Sequence, residues 1–331
     1  FSRFQSSFPP QAMAAANRSV VTEFTLAGFT DRPDLQVVLF VVFLTMYVVT
    51  LTGNLGMSLL INFDPRLHTP MYFFLSHLSL LDVCYSSCVT PRFLLSLLAG
   101  RRAISYAGCL AQFYFYAAFG TTEAFLLAAM AYDRYVAVCS PLLYAPVMSR
   151  GLCLRLVAGC YAAGAVNSAA HTGALLRLSF CASSLIDHFY CEGPPLYAIS
   201  CSDTGVNATL MLVFVSCIVG AMSATTLASY GRILAAVLRT HSPRGGRKAF
   251  STCTSHLSVT LLFYGSVAFV YLRPSSRRSG NLDKTASLLY TAVTPMLNPL
   301  IYSLRNQEVR DALRRARRKV LLTCQRRKLG L

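Results

Sequence analysis

The stretch "LQVVLFVVFLTMYVVTLTGNLGMSLLI", Leu35 to Ile61, runs without a single charge. A helix rises about 1.5 Å per residue, so about 20 apolar residues cross the hydrocarbon core of a bilayer. This stretch is long enough and apolar enough to do so. It also carries Asn54, inside "TGNLG". A side-chain amide at that depth has no water to bond, so it needs partners on other helices. One span of this kind therefore implies a bundle.

Scanning the chain for similar stretches gives seven spans, at residues 36–62, 70–98, 106–138, 153–175, 206–238, 249–272 and 284–304. The fourth, sixth and seventh are diluted by Ser, Thr, Gly and His, residues that suit helix–helix contact. The composition agrees: 54% of residues are hydrophobic and only 13% charged, against roughly a quarter charged in soluble domains. The predicted fold class is an all-α membrane protein, a bundle of seven transmembrane helices. An outer tail (residues 1–35), the bundle (36–304) and a basic inner tail (305–331) divide the chain. No repeat and no soluble domain fits between the spans.

The net charge is +17, and with such long apolar runs it points to anionic lipid rather than nucleic acid. Arg66, Arg134, Arg150, Arg155, Arg239, Arg244, Arg247 and Lys248 share one side with ten tail cations. The positive-inside rule makes that side cytoplasmic and the N-terminus extracellular, although Arg277 and Arg278 load the last outer loop. The first 35 residues lack a signal-peptide core, so span one would serve as its own anchor. "FSRFQSSFPPQA" reads as leader sequence and Met13 as a start, with a glycosylation sequon at Asn17. Four cysteines fall outside: Cys109, Cys181, Cys191 and Cys201. An oxidising exterior permits two disulfides, and three pairings are open.

Acids within spans mark function by default. Asp82 lies in span two and Glu123 in span three. They either share a cation, for which oxygen ligands favour sodium, or one is protonated and hydrogen-bonded. Asp133 and Arg134 end span three, where adjacent charges neutralise each other or Arg134 reaches elsewhere as one arm of a two-state switch. In span seven Pro299 breaks the helical ladder after Asn298. Asn298 and Tyr302, four apart, face one way.

Taken together, "LHTPMYFFLSHLSLLD" (67–82), "MAYDRYVAVCSPLLY" (130–144), "SYGRIL" (229–234), "KAFSTCTSHLSVTLLFYG" (248–265) and "PMLNPLIYSLRN" (295–306) resemble the odorant (olfactory) receptors among the rhodopsin-like G-protein-coupled receptors. The resemblance covers almost the whole chain. It implies pairing of Cys109 with Cys191 and of Cys181 with Cys201, a sodium site at Asp82 and Glu123, and a glycosylated Asn17. It implies Tyr264 at the pocket floor and a switch and coupling set of Asp133, Arg134, Tyr135, Tyr230, Asn298, Pro299 and Tyr302. A small volatile ligand and a stimulatory olfactory G protein that raises cyclic AMP follow as expectations. The chain departs from many relatives at Tyr161, where they carry tryptophan.

The pocket follows from Arg134, which fixes the inner end of span three. Several turns outward, Phe113, Tyr116, Ala117, Gly120, Thr121 and Ala124 form one helical face. Phe214 and Ile218 in span five, and Val267, Ala268 and Tyr271 above Tyr264 in span six, complete it. These faces carry no charge, and Thr121 or Tyr271 is expected to hydrogen-bond an alcohol, ketone or ester oxygen. An opsin would need a lysine in "SLLYTAVTP", an amine receptor an acid where Tyr116 stands, and a transporter repeats and broken helices. An enzyme would need a nucleophile–base pair or a metal motif, which is missing from this sequence. A non-signalling transport or scaffold protein is the competing class. Beyond the last span, Val309, Ala312, Leu313, Ala316 and Val320 recur at helical spacing beside Arg310, Arg314, Arg317 and Arg318, which predicts an interfacial helix over 306–322. Cys324 is a candidate for palmitoylation. No cofactor other than the sodium ion is expected.

Overall fold

The computed structural model describes residues 21–181, 183–239, 243–273 and 280–328. Met13, Asn17 and the Cys324 side chain fall outside the described residues. The long helices are α1 (Pro33–Phe63), α2 (Pro70–Ala99), α3 (Tyr106–Cys139), α4 (Arg150–Leu175), α5 (Gly205–Arg239) and α6 (Pro243–Tyr271). The seventh, α7, runs as Gly280–Leu288, a π turn Leu289–Val293, and Thr294–Arg305; α8 spans Gln307–Lys328. Helices α1 to α5 are long and apolar enough to cross a membrane, and in α6 the apolar part is His256–Tyr271.

Local chemistry sets the ends. Pro33 and Pro70 open α1 and α2 at first-turn positions, where no backbone donor is lost. Ser105 and Ser149 cap α3 and α4 by accepting from Gly108 and Leu152 amides. Gly100 closes α2 at φ 62°, a left-handed conformation that favours glycine. Polar side chains inside the spans bond their own helix: Thr50, Thr122, Ser86, Thr260 and Thr291 each donate to the carbonyl four residues back. Asn54 gains the partner its depth demands, donating to the Pro295 carbonyl of α7 at 2.9 Å.

The core lies among α2, α3, α6 and α7, with Tyr72, Phe74, Leu78, Leu126, Leu127 and Tyr290 essentially inaccessible. Val37, Val41, Val48, Leu55 and Leu59 of α1 point outward, the lipid-facing stripe of a peripheral helix. Helices α3 and α4 cross closely at Gly164. A Cβ on Gly164 would stand 2.5 Å from the Ala118 carbonyl oxygen, and one on Gly53 would meet Pro299 at 2.9 Å.

Two features add to the expected plan. The outer tail is not free of structure: β1 (Glu23–Leu26) pairs antiparallel with β2 (Ala103–Ser105) and parallel with β3 (Leu185–Ile186). The alternation in "EFTL" buries Phe24 and Leu26 beside Ile104, Phe180 and Ile186, so burial on one face drives the pairing. At the other end, α8 turns Val309 and Ala312 into the bundle, both fully buried, while Leu313 stays exposed. The helix itself falls where the spacing placed it. Glu308 accepts from Tyr72 at 2.8 Å, and Arg315 donates to Asp64 at 2.9 and 2.6 Å. The bond from Arg315 holds the Asp64 carboxyl below its ordinary value. That tether is present at neutral pH and is lost only as pH falls through the lowered value.

A Gly164→Ala receptor should lose about 1–3 kcal/mol to overpacking at the α3–α4 crossing. Its mature surface expression should fall, whereas Gly159→Ala, with open space at its Cβ, should match the parent. Equal surface counts for the two variants, read by flow cytometry, would refute the close crossing.

Candidate functional site

In the outer half of the bundle the helices part around a cavity of about 100 Å³. A water needs roughly 10–15 Å³ of such space, so the cavity has room for a small organic molecule. Phe113, Tyr116, Ala117, Gly120, Thr121 and Ala124 of α3 form one wall, as their spacing predicts. Ile218 of α5 and Val267 and Tyr271 of α6 also line it. Gly120 leaves room: a Cβ there would only touch the Tyr85 ring, at 3.5 Å.

Three expected lining residues are turned away. On α6 the lining positions are Phe263, Val267 and Tyr271, four apart, which leaves Tyr264 and Ala268 one step round the helix. Tyr264 instead donates to the Ala124 carbonyl at 2.6 Å, behind the cavity floor. On α5 the face is Met211, Val215, Ile218 and Val219, and Phe214 packs edge-on against His171 at the α4–α5 seam. Neither helix carries an internal marker comparable to Arg134, so hydrophobic spacing alone leaves its rotation open.

The sequence also concealed several lining residues. Asn167 and His171 reach in from α4, Tyr85 from α2 and Tyr290 from α7. Asn167 donates to Thr121 at 2.8 Å. A carboxyl stands above the cavity after all. Cys109 is bonded to Cys191 and Cys181 to Cys201, and the first bond draws the outer loop over α3. The Cys191 amide donates to Gln112 at 2.9 Å. The next residue, Glu192, is buried and accepts from Tyr271 at 2.5 Å and from Tyr290 at 3.0 Å. His188 Nε2 lies 3.1 Å from the second Glu192 oxygen, off the line of a hydrogen bond. Burial pushes the His188 ring down to about 3, keeping it neutral. Tyr271 was expected to donate to a ligand; its proton goes to Glu192 instead.

Deeper in the bundle, Asn298 donates to both oxygens of Asp82, at 3.1 and 2.9 Å. Glu123 is fully buried, and neither of its carboxyl oxygens has a hydrogen-bond partner among the described residues. The Asn54 and Asn298 carbonyl oxygens are equally unpartnered. Such a set of orphaned oxygens suits a hard cation. Among the described residues, however, no cluster of three or more acidic, His or Cys side chains gathers at a point.

At the inner end Arg134 is paired with Asp133, with Nε at 3.0 Å, and Tyr144 donates to the other Asp133 oxygen at 2.8 Å. Tyr135 accepts from Arg232, which also lies 5.7 Å over its ring. Tyr230 bonds His256 Nδ1 at 2.7 Å, joining α5 to α6. Tyr302 is buried below Asn298, and Pro299 packs on Gly53. The expected switch residues thus sit at two levels, Asp82–Asn298 and Asp133–Arg134.

Comparison with known proteins bears on this arrangement. A family model described as "Olfactory receptor" matches residues 43–320. The chain is 50% identical over 312 residues to olfactory receptor 5G9 of Mus musculus, covering 94% of this chain and 99% of the relative. It is 52% identical over 299 residues to olfactory receptor 5AP2 of Homo sapiens, covering 90% and 95%. The crystal structure of squid rhodopsin superposes with a TM-score of 0.64 at 16% identity, covering 88% of each chain, a likeness of fold alone. The matched relatives are receptors, not enzymes. With half its residues identical to theirs over nearly its full length, the chain belongs to the olfactory receptor family, built on the seven-helix fold of G-protein-coupled receptors.

Proposed function

We propose that this receptor binds small, mostly apolar volatile molecules in the cavity between α3, α5 and α6, and activates a heterotrimeric G protein of the stimulatory olfactory type, raising cyclic AMP. The cavity carries the reading: it lies between the helices, is walled by apolar side chains, and is set with a few hydroxyls. It operates as a multi-pass protein of the plasma membrane, with the N-terminus outside and the basic tail inside near anionic lipid. Gly120→Leu fills the free space beside Tyr85. Potency of bulkier agonists should drop by about tenfold, an effect of about 1.4 kcal/mol, with surface expression held equal. Unchanged dose–response curves across a varied odorant panel would put the pocket elsewhere.

In this reading Asp133 and Tyr144 hold Arg134 at rest, and activation frees the guanidinium towards the G protein. Deleting the Tyr144 hydroxyl removes one of the two side-chain partners Asp133 has among the described residues. Tyr144→Phe should raise basal cyclic AMP, while Arg134→Ala should reach the surface and stay silent to odorant. A signalling Arg134→Ala receptor would leave the pair as a simple interfacial anchor.

Asp82 and Glu123 would hold a sodium ion with help from the Asn54 and Asn298 carbonyl oxygens. The ion would supply the positive charge that two buried carboxyls otherwise lack, favouring the resting state. Asp82→Asn and Glu123→Gln should each change basal signalling and blunt its dependence on sodium in permeabilised cells. If both retain the parental sodium response, the pair is a protonated structural one.

A further inference from the structure

The cavity roof is a chain of phenols, and its hydrogen bonds have only one consistent direction. A phenol has a single proton to give. Tyr271 gives its proton to Glu192 Oε1 at 2.5 Å. Tyr290 shares its own between the same oxygen at 3.0 Å and Ser287 at 2.9 Å. In the contact between Tyr116 and Tyr271, 2.9 Å apart, Tyr116 must therefore be the donor. Tyr190, 3.0 Å from Tyr116, must then donate to Tyr116. The order is Tyr190 to Tyr116 to Tyr271 to Glu192, with every proton committed.

The direction holds with Glu192 ionised or protonated on Oε2; only a proton on Oε1 would reverse it. Burial raises its carboxyl above the ordinary value, and the donors Tyr271 and Tyr290 pull against that shift. Oε2 is the oxygen with a ring nitrogen beside it, the neutral His188 Nε2 at 3.1 Å, so the proton is placed there and both phenols keep Oε1. Oε1 is an acceptor in either state. Tyr116, Tyr271 and Tyr290 all face the cavity, and what they have left to offer is oxygen lone pairs.

We propose that this roof recognises odorants through a hydrogen-bond donor on the ligand, so that alcohols and phenols are preferred to ketones, esters and ethers of the same shape, and that Glu192 is the residue that sets the preference. The proposal rests on reading the cavity as the odorant site. A hydroxyl group can donate to a phenol lone pair and complete the chain. A ketone oxygen set against Tyr116, Tyr271 and Tyr290 meets only acceptors there, which is costly, and must turn to Thr121 or Tyr85 on the wall for a donor.

The test uses the full-length receptor in cells, with cyclic AMP dose–response curves normalised to surface expression. The probes are saturated primary alcohols and the methyl ketones of equal heavy-atom count. At the parent receptor the alcohols should be about tenfold more potent, the worth of one hydrogen bond. In Glu192→Gln the amide can either accept or donate, so the chain loses its fixed direction and the gap should shrink to about threefold or less. In Tyr271→Phe the Tyr116 proton is released into the cavity, and ketones should gain potency. A Tyr271 that donated directly to ligand would give the opposite, a loss for ketones. Because Tyr271→Phe stands without Glu192→Gln, poor trafficking of the latter does not decide the matter. Equal potency of the two classes at the parent receptor, or weaker ketones at Tyr271→Phe, overturns the proposal. If Gly120→Leu still shifts both classes in that case, the cavity survives as the binding site; if it shifts neither, the cavity and the proposal fall together.

Discussion

The outer half of the receptor depends on the bond between Cys109, in the first turn of α3, and Cys191, in the loop after α4. It closes 82 residues of chain, which removes about 4.5 kcal/mol of unfolded-state freedom in the chain-entropy picture. Its local effect matters more for function. Residues 188 to 192 become a fixed lid, with Cys191 secured to Gln112 and its neighbours Tyr190 and Glu192 aimed at Tyr116, Tyr271 and Tyr290. The same loop supplies β3, so the lid is sewn to the N-terminal segment as well.

Away from the lid, the controlling constraint is the absence of water. Most polar side chains in the spans are answered by their own helix, as Thr122 and Thr260 are, and these say little about function. The exceptions reach across helices: Asn54 to Pro295, Asn298 to Asp82, Tyr264 to Ala124, Tyr230 to His256. They join helices that must keep one arrangement at rest. Glu123 breaks the pattern: among the described residues its buried carboxyl has no donor, and such a group calls for a proton or a cation as companion.

How much of this the sequence disclosed varied with the physical signal available. Helix positions were legible within a few residues because hydrocarbon demands an unbroken apolar length, and the predicted spans 70–98 and 106–138 became Pro70–Ala99 and Tyr106–Cys139. The face of α3 was legible because Arg134 anchors its phase. The faces of α5 and α6 were legible only in part: Ile218, Val267 and Tyr271 line the cavity, whereas Phe214, Tyr264 and Ala268 do not. The sheet was missed although "EFTL" alternates, since four residues in a tail are too short a pattern to stand out. Glu192 was missed because its burial depends on a loop path. Its position beside Cys191 was the available clue: whatever follows that cysteine must lie at the top of α3.

One further property belongs to the π turn of α7. An ordinary helix advances about 100° per residue, so eight residues overshoot two full circuits by roughly 80°. Tyr290 and Asn298 are eight apart, yet one serves the lid and the other serves Asp82, both facing inward. The slack winding of Leu289–Val293 absorbs the overshoot. α7 is thus two short rods joined by an expansion joint, each in phase with its own partners. Tightening the joint to ordinary winding rotates one rod against the other, so the seating of a phenol under the lid and the seating of an amide on a carboxylate deep in the bundle become a single mechanical variable.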